Sequence, residues 1–245
     1  MDTVIALRRV EREYHMGRST IKALRGVTAE FQRGEFTAIA GPSGSGKTTL
    51  LNLIGCIDKP DRGQVVVNGE DVTATPLHRL AALRNRYFGF VFQSFNLIPV
   101  LSAYENVEFP VLLNGTPAGE RRSRVEALLE RVGLADHRRH RPHELSGGQR
   151  QRVAIARALV AQPLAVLADE PTANLDSRTG AEILDLMQEL NESAGVTFLF
   201  STHDRQIMRK ARRVLAMHDG AVLEENAGRQ VPDEDYEDAR VERSA

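Results

Sequence analysis

Apolar positions along the chain come in two rhythms. Short runs rich in β-forming residues occupy residues 3–10 and 27–31, and Gly34 sets the second of these apart from Phe36–Ala40. Val65, Val66 and Val67 followed by Asn68-Gly69 predict a further strand and a tight turn. Phe88–Phe92 is another short apolar run. Helical spacing appears over residues 118–132, with Val125, Leu128, Leu129 and Val132 near one face and Gly133 as the stop. The remaining chain alternates: helix over 147–160, buried strand over 164–168, helix over 177–190, buried strand over 196–200. Buried strands alternating with helices predict a parallel sheet covered on both faces.

Composition narrows this only slightly. At 245 residues there is room for one large domain or two small ones, and 42% hydrophobic with 27% charged residues is ordinary for a soluble globular chain. The net charge of −1 provides no global field for nucleic acid. Cys56 is the one cysteine, which excludes an intramolecular disulfide and a cysteine metal cluster. It ends an apolar helical run and reads as a small core residue. No apolar run approaches a membrane span, and residues 1–14 do not look like a signal peptide, so the cytosol is the expected compartment. Arg121, Arg122, Arg124, Arg131, Arg138, Arg139 and Arg141 crowd the helical middle, as a solvated helix face or as a docking surface for an acidic partner. Residues 226–245 read as an acidic, mobile tail carrying Asp233, Glu234, Asp235, Glu237 and Asp238.

The chemistry concentrates at Gly41, Pro42, Ser43, Gly44, Ser45, Gly46, Lys47 and Thr48, which fill the pattern G-x-x-x-x-G-K-S/T between an apolar strand and a helix-like run over 49–54. The glycines let backbone N–H groups wrap an anion, and the helix adds its positive end. Lys47 is expected to reach the β/γ-phosphates of a nucleotide and Thr48 to sit on Mg²⁺. The apolar run 164–168 ends in Asp169-Glu170-Pro171. Beside a phosphate loop, Asp169 suits Mg²⁺ and Glu170 suits a general base acting on the attacking water; the alternative is a carboxylate pair that only caps the next helix. Leu145-Ser146-Gly147-Gly148-Gln149 opens a second helix, with Ser146 as N-cap and two glycines freeing the N–H groups. Two anion-ready sites require two anions, or one shared between chains.

Taken together these motifs resemble the nucleotide-binding subunit of an ABC transporter over about residues 3–225. Residues 41–48 match its Walker A motif, 145–149 its signature, and 164–169 with Glu170 its Walker B motif. Gln93 matches the Q-loop, residues 173–176 ending in Asp176 the D-loop, His203 the switch histidine, and Tyr14 the aromatic residue that stacks on adenine. The resemblance implies an α/β fold: a P-loop core with a mainly parallel sheet, an N-terminal antiparallel β subdomain, and an inserted helical subdomain over about 94–150. It implies an ATPase using ATP and Mg²⁺. Nucleotide binds at Tyr14, residues 41–49 (Thr49 included) and Gln93; Thr48, Gln93 and Asp169 hold the metal; Glu170, His203 and Lys47 are catalytic. It also implies a head-to-tail homodimer with two ATPs sandwiched between Walker A of one subunit and Ser146, Gly147, Gly148 and Gln149 of the other. His203 could instead cap the helix that follows it.

Residues 54–60, 90–99 and 171–176 are similar to the MacB-type and LolD-type subgroup, although Ala173 stands where many members have glycine. That resemblance implies an integral membrane permease of the FtsX, MacB or LolC–LolE kind, a periplasmic adaptor in some systems, no nucleic acid, and a peripheral location on the cytoplasmic face of a bacterial inner membrane. Lipoprotein release, export or mechanotransmission are the expected work. A signalling module that activates an extracytoplasmic enzyme, or a soluble ATPase acting on nucleic acid or ribosomes, are the rivals. Phe95, Leu97, Ile98, Val100 and Leu101 after Gln93 are expected to form the groove for a permease helix, the alternative being that they fold back into the helical subdomain, as some of them are expected to do.

Overall fold

The structure is a computed structural model that describes residues 2–17 and 19–227. The elements run β1 (Thr3–Met16), β2 (Ser19–Gln32), β3 (Phe36–Ala40), α1 (Lys47–Ile54), β4 (Arg62–Val67), β5 (Glu70–Asp71), α2 (Leu77–Tyr87) and β6 (Phe88–Phe92). There follow α3 (Ala103–Leu113), α4 (Ala118–Arg131), α5 (Gly147–Leu159), β7 (Ala165–Asp169), α6 (Ser177–Ala194), β8 (Thr197–Thr202), α7 (Arg205–Lys210), β9 (Arg213–His218) and β10 (Ala221–Ala227). The strands form an antiparallel sheet in the order β2-β1-β4-β5 and a second sheet in the order β10-β9-β3-β8-β7-β6. The second sheet is parallel except for its edge strand β10. The acidic residues 233–238 lie outside the described residues. Among the described residues, no helix is long and apolar enough to cross a membrane.

The parallel strands are buried on both faces, and their residues alternate between two cores. Phe36, Val166, Ala168, Phe198 and Phe200 point to one side, where α3, α4, α5 and α6 pack. Ile39, Leu167 and Leu199 point to the other, against α1 and the antiparallel sheet. The period-2 geometry of a strand makes this division. β1 and β2 are much longer than the apolar runs suggested, because only the inner part of each hairpin strand alternates into the core; β2 buries Leu24, Val27, Ala29 and Phe31.

Local chemistry sets the element ends. Asn68 (φ 50°) and Gly69 (φ 79°) are both left-handed, as a two-residue hairpin turn between β4 and β5 requires. Ser102 and Glu105 form a capping box at α3, and Gly133 stands left-handed just past α4. The α4 arginines find carboxylates within the helical layer: Arg121 on Glu108 at 2.9 Å, Arg122 on Glu126 at 3.0 Å, and Arg124 on Glu120. Cys56 is a buried core residue, and burial pushes its thiol up to about 11.

Helix α5 is fixed unusually closely to β6. A Cβ on Gly89 would lie 2.2 Å from the Ala158 carbonyl oxygen, so only glycine admits this approach. Arg157 on the same helix donates to the carbonyls of Phe95 at 2.9 Å and Asn96 at 2.5 Å, where both residues are left-handed. Gln151, fully buried, donates to the Pro171 carbonyl at 2.7 Å.

Candidate nucleotide site

The loop from β3 to α1 is shaped by what surrounds it. Gly46 has φ 101°, and a Cβ there would lie 2.5 Å from the Ala23 carbonyl oxygen on β2. Gly220 locks the same corner, donating to the Ser45 carbonyl at 3.0 Å and accepting from the Arg25 N–H at 2.8 Å. Lys47 opens α1, and its buried ammonium donates to the carbonyls of Gly41 at 2.7 Å and Pro42 at 2.9 Å. Burial lowers its pKa below the ordinary lysine value, against the opposing pull of Glu170 and Asp169. Ser45 is buried, with its hydroxyl unpartnered.

β7 delivers the two carboxylates beside this loop. The Thr48 hydroxyl lies 3.2 and 3.3 Å from the two carboxylate oxygens of Asp169. Glu170 follows with φ 47°, a left-handed conformation that costs a non-glycine residue about 1–3 kcal/mol. Its N–H donates to the Ser201 carbonyl at 2.9 Å, which holds the strained turn. One Glu170 oxygen accepts from the Thr202 hydroxyl at 3.3 Å, and the other meets His203 Nδ1 at 2.6 Å. His203 does not cap α7. That role falls to Asp204, which accepts from the Gln206 N–H at 2.8 Å and from the Thr172 hydroxyl at 3.0 Å. The exposed imidazole is thus free to present its other nitrogen outward.

Most of the expected nucleotide residues line one cleft of about 670 Å³, while Gly41, Pro42, Ser45 and His203 stand behind or beside its lining. Ser43, Gly44, Gly46, Lys47, Thr48 and Thr49 line it from the loop, Gln93, Asp169 and Glu170 from strand ends, and Tyr14 from β1. Lys22 and Arg25 on β2 also line it. No motif marks them in the sequence, because they sit on a strand stretch that otherwise reads as solvated edge. Asn174 donates to the Gln93 carbonyl at 3.0 Å, joining two of the expected motifs by a contact that neither announces.

Ser146, Gly147, Gly148 and Gln149 do not line this cleft. Ser146 caps α5, accepting from the Gln149 N–H at 3.2 Å, while its own N–H donates to the Gln149 side chain at 2.9 Å. Gly148 lets α5 approach α6, since a Cβ there would lie 2.6 Å from the Thr179 methyl. Asp176 caps α6 through the Thr179 N–H at 3.0 Å, and hydrogen bonds from Thr179 hold its carboxyl below the usual range. The motif residues therefore form two separate surfaces on one chain. The hard oxygen pair Thr48–Asp169 suits Mg²⁺, which takes few protein ligands and completes its shell with water and phosphate oxygens. Among the described residues no cluster of three or more His, Cys, Asp or Glu competes as a metal site.

Comparison with known proteins agrees with this geometry. Residues 24–173 match the ABC transporter family. An uncharacterized ABC transporter ATP-binding protein of Thermotoga maritima is 50% identical over 222 residues, 91% of this chain and 94% of that one. The macrolide export ATP-binding/permease protein MacB of Brucella melitensis is 45% identical over 93% of this chain, and the pyoverdine export ATP-binding/permease protein PvdT of Pseudomonas syringae pv. syringae 49% over 91%. The chain spans only 35% and 34% of those two proteins. A dimeric ATP-binding cassette in a post-hydrolysis state with ADP and Pi superposes with a TM-score of 0.84 at 43% identity, covering 93% of this chain and 100% of that one. The chain belongs to the ABC transporter family. It is an ABC ATPase that uses ATP with Mg²⁺, and its identity to the MacB and PvdT export components agrees with the MacB-type subgroup.

Proposed function

We propose that two copies of this chain close head-to-tail around two MgATP molecules, and that closure drives a separate membrane permease at the cytoplasmic face of a bacterial inner membrane. The observation that carries this reading is the separation of the phosphate cleft from the capped α5 N-terminus on one chain. A second copy supplies the missing half of each site. In this reading Lys47 neutralises the β/γ-phosphates within the amide cradle of residues 41–49, and Tyr14 stacks on the base. Thr48, Asp169 and Gln93 would hold Mg²⁺, which supplies charge neutralisation on the phosphate oxygens when bound. Glu170 takes the proton of the attacking water, and His203, oriented by its contact with Glu170, faces the γ-phosphate. Asp176 holds α6 in place behind the partner-facing Ser146, Gly147, Gly148 and Gln149. The working domain is residues 3–225, with the helical part at about 94–150; the tail expected from residue 226 cannot start there, because Asn226 and Ala227 still pair with Val214 and Arg213 in β10. Lipoprotein release, export or mechanotransmission remain the work proposed for the complex, with a periplasmic adaptor as a further member.

The shared-site geometry has a direct test. Ser146→Arg places a long cation at the α5 N-terminus and is expected to stop turnover while leaving ATP binding to the single chain intact. Mixed with a Lys47→Ala chain, it should regain one competent site per heterodimer. No activity above either variant alone, despite proven mixing, would exclude a site built from two chains.

Part of the apolar run expected to meet the permease folds inward. Phe95 turns inward at φ 62° and is buried beneath the Arg150 guanidinium, 5.0 Å from its ring, and Leu97 packs on the core. Of the residues expected there, Val100 is the one widely exposed, at 71%. A groove of about 410 Å³ opens beside the loop instead, lined by Phe90, Phe92, Asn96, Pro110, Leu113 and Arg157. Phe92 and Asn96 face this groove while Gln93 faces the nucleotide cleft, so one short loop serves both. A permease helix seated here would move with the phosphate sensor. Leu113, 65% exposed, is the test position. Leu113→Asp should lose the neighbouring-gene permease on co-purification while ATP binding stays normal, since a hydrated carboxylate would replace apolar surface that the permease helix is proposed to cover. Full retention of the permease would move the docking surface elsewhere.

A further inference from the structure

Tyr14 is held by a clamp that the phosphate loop's own helix anchors. Asp58 lies just past α1, and the chain there folds back on the helix: the N–H groups of Ile57 and Asp58 donate to the Asn52 carbonyl at 2.9 and 3.2 Å. The Asp58 carboxylate accepts the Tyr14 hydroxyl at 3.0 Å and grips Arg12 in a two-point contact, Nε at 2.9 Å and Nη2 at 3.0 Å. Asp61 takes the third guanidinium donor at 2.8 Å and also accepts the Glu13 N–H at 2.6 Å. The Arg12 guanidinium lies over the Tyr14 ring, 4.9 Å from its centre. Tyr14 and its cross-strand partner Ile21 line the nucleotide cleft, and Arg12 does not. One face of the ring is therefore covered by a cation, its hydroxyl is pinned, and the cleft side is left to a ligand.

We infer that Asp58 and Arg12 are positioning residues for the base of a purine nucleoside triphosphate, setting the height of the Tyr14 ring above the phosphate loop. The inference rests on the reading that Tyr14 stacks on the base. Its physical content is preorganisation. Both ends of the ligand are referenced to α1, the phosphates through Lys47 and Thr48 at its start and the base through Asp58 just beyond its end. A tyrosine already ordered by folding loses little further rotamer freedom when a base stacks on it. The guanidinium also fits the ring as a flat cover, which a lysine ammonium would not reproduce.

The test separates base from phosphate by using two probes, MgATP and inorganic tripolyphosphate with Mg²⁺, titrated calorimetrically into the full-length chain. Asp58→Ala is expected to weaken MgATP about five- to tenfold, a fraction of what base stacking contributes, and to leave tripolyphosphate unchanged. Arg12→Lys, which keeps the charge and spares the fold, should show the same selectivity with a smaller loss. Combined with Tyr14→Ala, Asp58→Ala should add nothing further, because both remove one interaction. Equal losses on both probes, or losses that add to those of Tyr14→Ala, would overturn the clamp. If Tyr14→Ala itself fails to discriminate the probes, base stacking on Tyr14 is wrong. If Tyr14→Ala discriminates and Asp58→Ala and Arg12→Lys do not, the clamp alone is wrong.

Discussion

Glu170→Gln is expected to slow ATP turnover by roughly two to four orders of magnitude, the range for removing a general base, while ATP still binds. The substitution keeps the shape of the side chain and its contact with the Thr202 hydroxyl. It removes the charge that the His203 imidazole meets at 2.6 Å and the site that accepts the water's proton. Because the closed pair would no longer consume its own ligand, an ATP-bound dimer should accumulate and appear on sizing chromatography with MgATP. The left-handed backbone at Glu170 is set by neighbouring contacts and not by the carboxylate charge, so the variant should fold normally. Turnover near that of the natural chain would remove Glu170 from the chemical step.

Lys47→Ala should abolish tight ATP binding. The ammonium donates to two carbonyls of its own loop, and two carboxylates lie close enough to influence its ionisation. Its removal leaves Asp169 and Glu170 facing the triphosphate with no fixed side-chain cation between them. A charge-assisted contact of this kind contributes roughly 1.5–3 kcal/mol, about ten- to a hundredfold in affinity, before that added repulsion is counted. Equilibrium dialysis with labelled ATP gives the measurement, and affinity within about twofold of the natural chain would contradict the assignment.

The phosphate loop and the carboxylate strand were legible because each is local: a short, mostly apolar run, then a chemically marked end. The switch from alternating to helical periodicity gave α4 and α5 nearly to the residue, and α6 from its first residue but one turn short of its end at Ala194. Helix α3 was missed because Pro110 sits inside it and reads as a breaker. Helix α2 carries only a short apolar stripe, Leu80, Leu83 and Tyr87, set among polar residues. The outer halves of β1 and β2 pair with each other more than with a core, so no alternation betrays them. Residues 93–101 show the limit most clearly. Hydrophobicity marks Phe95 and Val100 alike, but a left-handed backbone at Phe95 and Asn96 buries the first and leaves the second outside. Arg12 and Asp58, 46 residues apart, meet only through the packing of two elements, and no local pattern could have joined them.

Helix α5 has a consequence for timing. Its capped start is the surface proposed to meet the other copy's nucleotide, while Arg157 and Gly89 bind its far end to the loop and strand that lead to Gln93 of its own site. A rod buried along one face and tied at both ends cannot tilt at one end alone. Gln151 ties the same helix to the Pro171 carbonyl, next to Glu170, so in the proposed pair a shift at Ser146 would be felt beside the chain's own catalytic groups. In the closed pair proposed above, the two nucleotides would then be joined by a continuous line of packed contacts, and the hydrolysis rate at one would depend on the state of the other.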